Sequence, residues 1–140
     1  MTGNQCILGT FGKIFVNNKR IANIKSFELK ASMDYEEIDV NGNLIKQYKY
    51  KGASLSGTME VWKVDSYNIN LVKDSIKTGV MPDIKIVGEL TDPNIDGDEA
   101  IEITNVYLDE ATLLAFTNGE VRDESTAFRA GGYNYISTID

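Results

Sequence analysis

Ala53-Ser54-Leu55-Ser56-Gly57-Thr58-Met59-Glu60-Val61 sets small and apolar residues on odd positions and Ser, Thr and Glu on even ones. In a strand successive side chains point to opposite faces, so this alternation describes a strand with one buried and one wet face. The strand reads on through Trp62 to Val64, and Trp62 breaks the polar parity, which places something apolar against that face near its end. Upstream, Phe27, Leu29, Ala31, Met33 and Tyr35 alternate with Ser26, Glu28, Lys30, Ser32 and Asp34 in the same manner. The next apolar residues, Ile38 and Val40, have the opposite parity, and a shift of one residue predicts a bulge near Glu36-Glu37. Asn41-Gly42-Asn43 supplies the positive φ angles of a turn, and 44–50 returns as an extended segment. The two long alternating runs therefore form one long hairpin.

Working outward, Lys13-Ile14-Phe15-Val16 and Lys19-Arg20-Ile21-Ala22 flank Asn17-Asn18 and predict a second hairpin. Further strands are expected over 83–90, 100–108 and 125–135, with Gly131-Gly132 marking a bend or bulge in the last, and a short one over 112–116. One segment instead has steps of three and four: Ile69, Val72 and Ile76 share a face between Ser66 and Thr78. Asp65 or Ser66 can cap its start, Lys73 and Lys77 suit the negative end of its dipole, and Gly79 suits its stop. An amphipathic helix of about three turns is marginal alone in water, so it must lie on the sheet. The fold class is mainly β with one helix.

The chain has 140 residues, the size of one domain with one core. Its apolar runs are far shorter than the roughly 20 residues needed to span a bilayer, and Met1-Thr2-Gly3-Asn4-Gln5 lacks a basic-then-apolar leader. Synthesis in the cytoplasm without a signal peptide and without membrane anchoring is the expectation. Cys6 is the single cysteine and there is no histidine, which removes an internal disulfide, His-dependent triads, His zinc sites and a base for a cysteine nucleophile. A net charge of −7 argues against a protein that grips phosphates, because that affinity comes from Lys and Arg displacing counterions.

Asp92-Pro93-Asn94-Ile95-Asp96-Gly97-Asp98-Glu99 spaces its oxygens like a calcium loop, but the twelfth position, which needs a bidentate Glu, is Ile103. A polar connection between strands uses the same residues, and that reading prevails. Glu36-Glu37 and Asp123-Glu124 are sequence neighbours, so in strands they point apart and do not suggest an acid and base pair. No phosphate cradle is present, and Tyr48, Tyr50, Trp62, Tyr133 and Tyr135 lack the interleaved Arg of a base-stacking surface, so they read as core or interface residues. No catalytic residue, cofactor or metal ligand is expected.

Gly9-Thr10-Phe11-Gly12-Lys13-Ile14-Phe15-Val16-Asn17-Asn18, then Tyr48-Lys49-Tyr50-Lys51-Gly52-Ala53-Ser54-Leu55-Ser56-Gly57-Thr58-Met59, then Trp62-Lys63-Val64-Asp65-Ser66 entering a helix, and Leu90-Thr91-Asp92-Pro93 before an acidic turn, occur in an order that resembles one family. It is the tail tube protein family of PBSX-like contractile phage tails and R-type (diffocin-like) bacteriocins. The resemblance implies a β-sandwich or barrel related to the type VI secretion tube, assembled as hexameric rings stacked into a tube. It implies as partners other copies of the chain, the tail sheath, the baseplate and tail terminator proteins, the tape measure protein, and possible passage of double-stranded DNA without specific binding. The location it implies is a virion tail or an extracellular phage-tail-like particle. It also assigns a subunit and ring interface to the hairpin loop Asn41-Gly42-Asn43-Leu44-Ile45-Lys46-Gln47-Tyr48-Lys49-Tyr50-Lys51-Gly52. Sheath contact would fall near the helix, and Asp34 and Glu60 are candidates for a polar, acidic channel wall. The rival reading, in a different class, is a monomeric adhesion or ligand-binding β-sandwich.

Overall fold

A computed structural model describes residues 2–139. The described strands form a single antiparallel sheet of seven: β1 (Gly12–Val16), β2 (Lys19–Arg20), β3 (Ile24–Ile38), β4 (Gln47–Trp62), β5 (Ile86–Leu90), β6 (Glu99–Leu108) and β7 (Asp123–Ser137), in the order β2-β1-β5-β6-β7-β4-β3. The sheet curls so that its two halves face each other across one core. Ile14, Val16 and Ile86 from one half meet Met59, Val61 and Phe128 from the other, and the Phe27 and Phe128 rings stack with centroids 5.9 Å apart.

The expected strand at 53–61 sits in β4, between β3 and β7, and its odd residues face the core. Gly57 is required there: a Cβ would run into the Glu28 carbonyl and the Phe128 ring, so its absence lets that ring lie against β4. The first hairpin turns through Asn17 and Asn18 at φ 50° and 68°, the two left-handed residues that match the twist of a tight hairpin.

Halfway along, β6 and β7 change faces together. Ile101 and Ile103 belong to the core side of β6, yet so do Val106 and Leu108, of opposite parity. Asn105, at φ 51°, absorbs the change, and Gly131 makes room, since a Cβ on it would lie 3.0 Å from that of Asn105. The bend anticipated at Gly131-Gly132 is thus one side of a kink shared by two strands. Through it, β7 passes from β4 in one half of the sheet to accompany β6 beside β5 in the other.

Three expectations need correction. The helix over 66–78 is two short helices, α1 (Tyr67–Val72) and α2 (Ser75–Thr78), parted at Lys73-Asp74, and Ile76 is exposed rather than sharing the buried face of Val72. Asp65, not Ser66, accepts the Tyr67 N–H, at 3.1 Å, and Gly79 at φ 79° stops the second helix as expected. No strand forms over 112–116, which belongs to an irregular loop of residues 109–122.

Candidate assembly surface

Past Leu55, whose partner on β7 is Ala130, β4 keeps only β3 as a neighbour. From there the hairpin continues as a two-stranded ribbon to Ile38 and Gln47, with an irregular tip over 39–46. Half of the segment read as an interface loop is therefore strand: residues 47–52 belong to β4, and the return strand begins at Gln47 rather than at Leu44. The tip is held by Gly42 at φ 80°, by the Asn43 side-chain oxygen accepting the Ile45 N–H at 3.0 Å, and by Lys46 bridging Asp39 and Glu37.

The bulge lies on the strand opposite to the one expected. Asp34 pairs with Gly52 and Tyr35 with Tyr50, so the extra residue is Lys51 in β4, next to Gly52 at φ 152°. Glu36 and Glu37 remain in regular pairing with Lys49 and Tyr48. An inserted residue flips parity, which keeps Tyr50 and Tyr48 on the face of Met33 and Tyr35. Tyr35 and Tyr50 meet edge to face at 5.8 Å. Met33, Tyr35, Tyr48 and Tyr50 are all more than half exposed, as are Leu44 and Ile45 at the tip. This face runs on without a break into a groove of about 670 Å³ at the root of the ribbon, walled by Phe27, Leu29, Leu55 and Ile101 and rimmed by Tyr133 and Tyr135.

The opposite face of the same strands is small, polar and charged. Ser26, Glu28, Lys30, Ser32 and Asp34 of β3 lie beside Ser54, Ser56, Thr58 and Glu60 of β4, with Ser125 and Arg129 of β7 continuing the row. Glu60 accepts the Ser26 hydroxyl at 3.2 Å, Lys30 pairs with Glu28 at 2.9 Å, and Arg129 pairs with Asp109. Asp34 and Glu60, the two candidates for a channel wall, thus share one face.

The end of the fold away from the ribbon is tied by charge. Lys25, the bulged residue where β3 begins, donates to Asp123 at 2.8 Å and lies over the Trp62 ring. That hydrogen bond raises the Lys25 ammonium above its ordinary value and holds the Asp123 carboxyl below its own. Trp62, flagged by its broken parity, therefore meets the Lys25 ammonium, 4.8 Å from its ring centroid, rather than the apolar group expected there. Tyr67 of α1 donates to the Val16 carbonyl at 3.0 Å, and burial pushes its phenol up.

Asp92, the first residue of the apparent calcium loop, is 3% exposed and serves as a clip. Its carboxylate accepts the backbone N–H groups of Asn94 at 2.9 Å and Leu8 at 3.0 Å, fastening the N-terminal segment to the β5–β6 connection, and these bonds hold the carboxyl below its ordinary pKa. Among the described residues no cluster of three or more acidic, Cys or His side chains is placed to hold a metal ion. Among the same residues no helix is long and apolar enough to cross a membrane.

The family described as "Phage tail tube protein" matches residues 1–137. The chain belongs to that family. It is a structural subunit of a tail tube and not an enzyme. Among curated relatives, the phage-like element PBSX protein XkdM and the uncharacterised protein YqbM, both of Bacillus subtilis strain 168, are each 27% identical over 130 residues, covering 91% of this chain and 88% of theirs. In fold, the tail tube chain is similar to one in the sheath–tube complex of an extracellular contractile injection system, PVC, in its extended state, with a TM-score of 0.74 at 15% identity over 100% of this chain and 99% of that one. It is also similar to one in the tube-terminating cap of the anti-feeding prophage, with a TM-score of 0.72 at 14% identity over 99% and 95%. Membership in the family replaces the monomeric adhesion module as the reading of this chain.

Proposed function

We propose that six copies of this chain close into a ring and that rings stack into the inner tube of a contractile tail, a hollow conduit or puncturing tube driven through a target envelope. The observation that carries this reading is the ribbon beyond Leu55, where among the described residues no third strand flanks β3 and β4 and Met33, Tyr35, Tyr48 and Tyr50 are left more than half exposed. Exposed apolar surface of this extent marks an interaction site, and residues 41–52 are the part that reaches the neighbouring subunits and rings. The polar face of β3, β4 and β7, with Asp34 and Glu60, lines the channel. A negative wall neutralises no phosphate, so a polyanion passes along it without being bound. The surface around α1 and α2 faces a sheath, and terminator, baseplate and tape measure proteins complete the assembly, in keeping with the sheath–tube and tube-cap assemblies whose chains share the fold.

Electron microscopy of the concentrated chain, or of parent tails, tests the reading. The expected image is a hollow tube with six-fold symmetry whose channel wall carries Asp34 and Glu60. A chain that stays monomeric, with no tube in any parent particle, refutes it. A predominantly basic channel wall refutes the assignment of the polar face alone.

A further inference from the structure

Of the asparagines in the chain, only Asn41 and Asn118 are followed by glycine. Both pairs form the middle of the same kind of turn. The Asn43 N–H donates to the Val40 carbonyl at 3.1 Å and the Glu120 N–H to the Thr117 carbonyl at 3.2 Å, and Gly42 and Gly119 each have φ 80°. With a negative φ at the asparagine and a positive one at the glycine, these are type II turns. Among the described residues neither glycine N–H nor either asparagine side chain makes a hydrogen bond. All four residues are exposed.

An unpaired carboxamide followed by an unpaired glycine N–H is a reactive pair, because joining them closes a five-membered ring and glycine has no side chain to shield its nitrogen. The Gly42 nitrogen gives up its proton to solvent base and attacks the Asn41 Cγ. The Cγ–Nδ2 bond breaks and the side-chain nitrogen leaves as ammonia. Water then opens the cyclic imide at one of its two carbonyls. Opening at Cγ leaves aspartate, and opening at the main-chain carbonyl leaves isoaspartate, whose main chain runs through Cγ and is one methylene longer. Overall an amide and a water become a carboxylate and an ammonium ion, with no oxidant or cofactor.

Ring closure needs the turn to open, and Asn41 sits where opening is easy, at the tip of a two-stranded ribbon that is marginal by itself. Asn43 is protected twice, since Leu44 follows it and its side-chain oxygen accepts the Ile45 N–H. The product changes the tip in charge and in length. A carboxylate at position 41 joins Asp39 and Glu37, which already share Lys46. The added methylene spoils the Val40–Asn43 turn and displaces Leu44 and Ile45, the exposed apolar residues beside it.

We infer that Asn41-Gly42 is a site of spontaneous deamidation in the free chain, and that assembly stops the reaction by fixing the turn. A subunit left unassembled therefore loses, with age, the hairpin tip that extends the stack. The chemistry stands on the turn alone, whereas its consequence rests on the tube reading.

Peptide mapping by mass spectrometry, on the full-length free chain and on assembled tubes stored alike at neutral pH, tests the site. In the free chain the Asn41 peptide should convert at least as fast as the Asn118 peptide, whose matching turn is an internal reference. In tubes conversion at Asn41 should slow by about tenfold or more. Aged chain should also give shorter tubes than fresh chain. Asn41→Gln, which would have to close a less favourable six-membered ring, should give tubes of one length before and after storage. An Asn41 peptide that stays intact in the free chain overturns the site, and equal conversion in tubes and free chain overturns the protection. Tubes of ordinary length from a converted pool overturn the loss of the tip. If fresh chain makes no tube, the tube reading itself fails, and conversion at Asn41 in the free chain still decides the site.

Discussion

Joining the paired Tyr35 and Tyr50 directly through a two-residue Asn-Gly turn, in place of residues 36–49, removes the outer ribbon and leaves the core as it is. A hairpin standing alone is marginal in water, so in the free chain local opening of residues 47–50 costs about 0–1 kcal/mol. Amides of 57–61, flanked by β3 and β7 over the buried core, open only with the whole domain, at about 5–15 kcal/mol. At roughly 1.4 kcal/mol per factor of ten, their exchange should be slower by about a thousandfold or more. The shortened chain should keep its urea stability to within about 1 kcal/mol, since the ribbon contributes nothing to the core, yet should form no tube. Hydrogen exchange of the free chain and urea unfolding of the variant measure both quantities. Equal protection of residues 48–50 and 57–61 in the free chain would refute the reasoning, as would a stability loss above about 2 kcal/mol in the variant.

Phe128→Ala empties the centre of the core, where the ring is 1% exposed and stacks on Phe27, and should cost about 3–5 kcal/mol in urea unfolding; a loss under about 1.5 kcal/mol would place the core elsewhere. Gly57→Ala should destabilise by about 1–3 kcal/mol although it adds apolar volume, because the new methyl overlaps the Glu28 carbonyl and the Phe128 ring. Asp92 is held below its ordinary value of 3.8 by the N–H groups of Asn94 and Leu8. The native state therefore binds fewer protons there than the unfolded state, and its contribution is present above 3.8 and lost as pH falls through the depressed value. Urea midpoints followed into acid should consequently decline less steeply for Asp92→Asn than for the parent, and identical acid limbs would rule out the clip.

Alternation made most of the sheet legible, because Leu55, Met59 and Val61 on one parity and Ser54, Ser56 and Thr58 on the other admit only a strand with one buried face. The parity change at Ile38 did not report a bulge in its own strand. Ile38 has the wrong parity simply because it sits on the outer face with Lys49, while the inserted residue is Lys51, whose neighbour Gly52 was the local signal. Asn105 was invisible, since an asparagine in a strand does not announce a positive φ, although Gly131 across from it did mark the kink. Leu113-Leu114-Ala115-Phe116 looked like a strand because apolar residues are scored as if they were buried, and only the surrounding structure reveals that these are open. Within the candidate surface, Tyr48 and Tyr50 stood out by type, but the groove they adjoin draws on β1, β3, β4, β5, β6 and β7, a convergence no local pattern records.

The ribbon emerges from one end of the molecule only. A stack joined by such ribbons is a polymer with a direction, and its two growing faces are chemically unlike. A subunit whose ribbon has been cut back still presents the face that receives a ribbon and offers none of its own. It would act as a chain stopper: mixed in as a minor component, it joins the end of a growing stack and halts addition there, so that mean length falls far faster than its share of the pool. A defect at the tip of this hairpin would therefore be dominant over intact copies, whereas a defect in the core, which removes the subunit from the pool altogether, would be recessive.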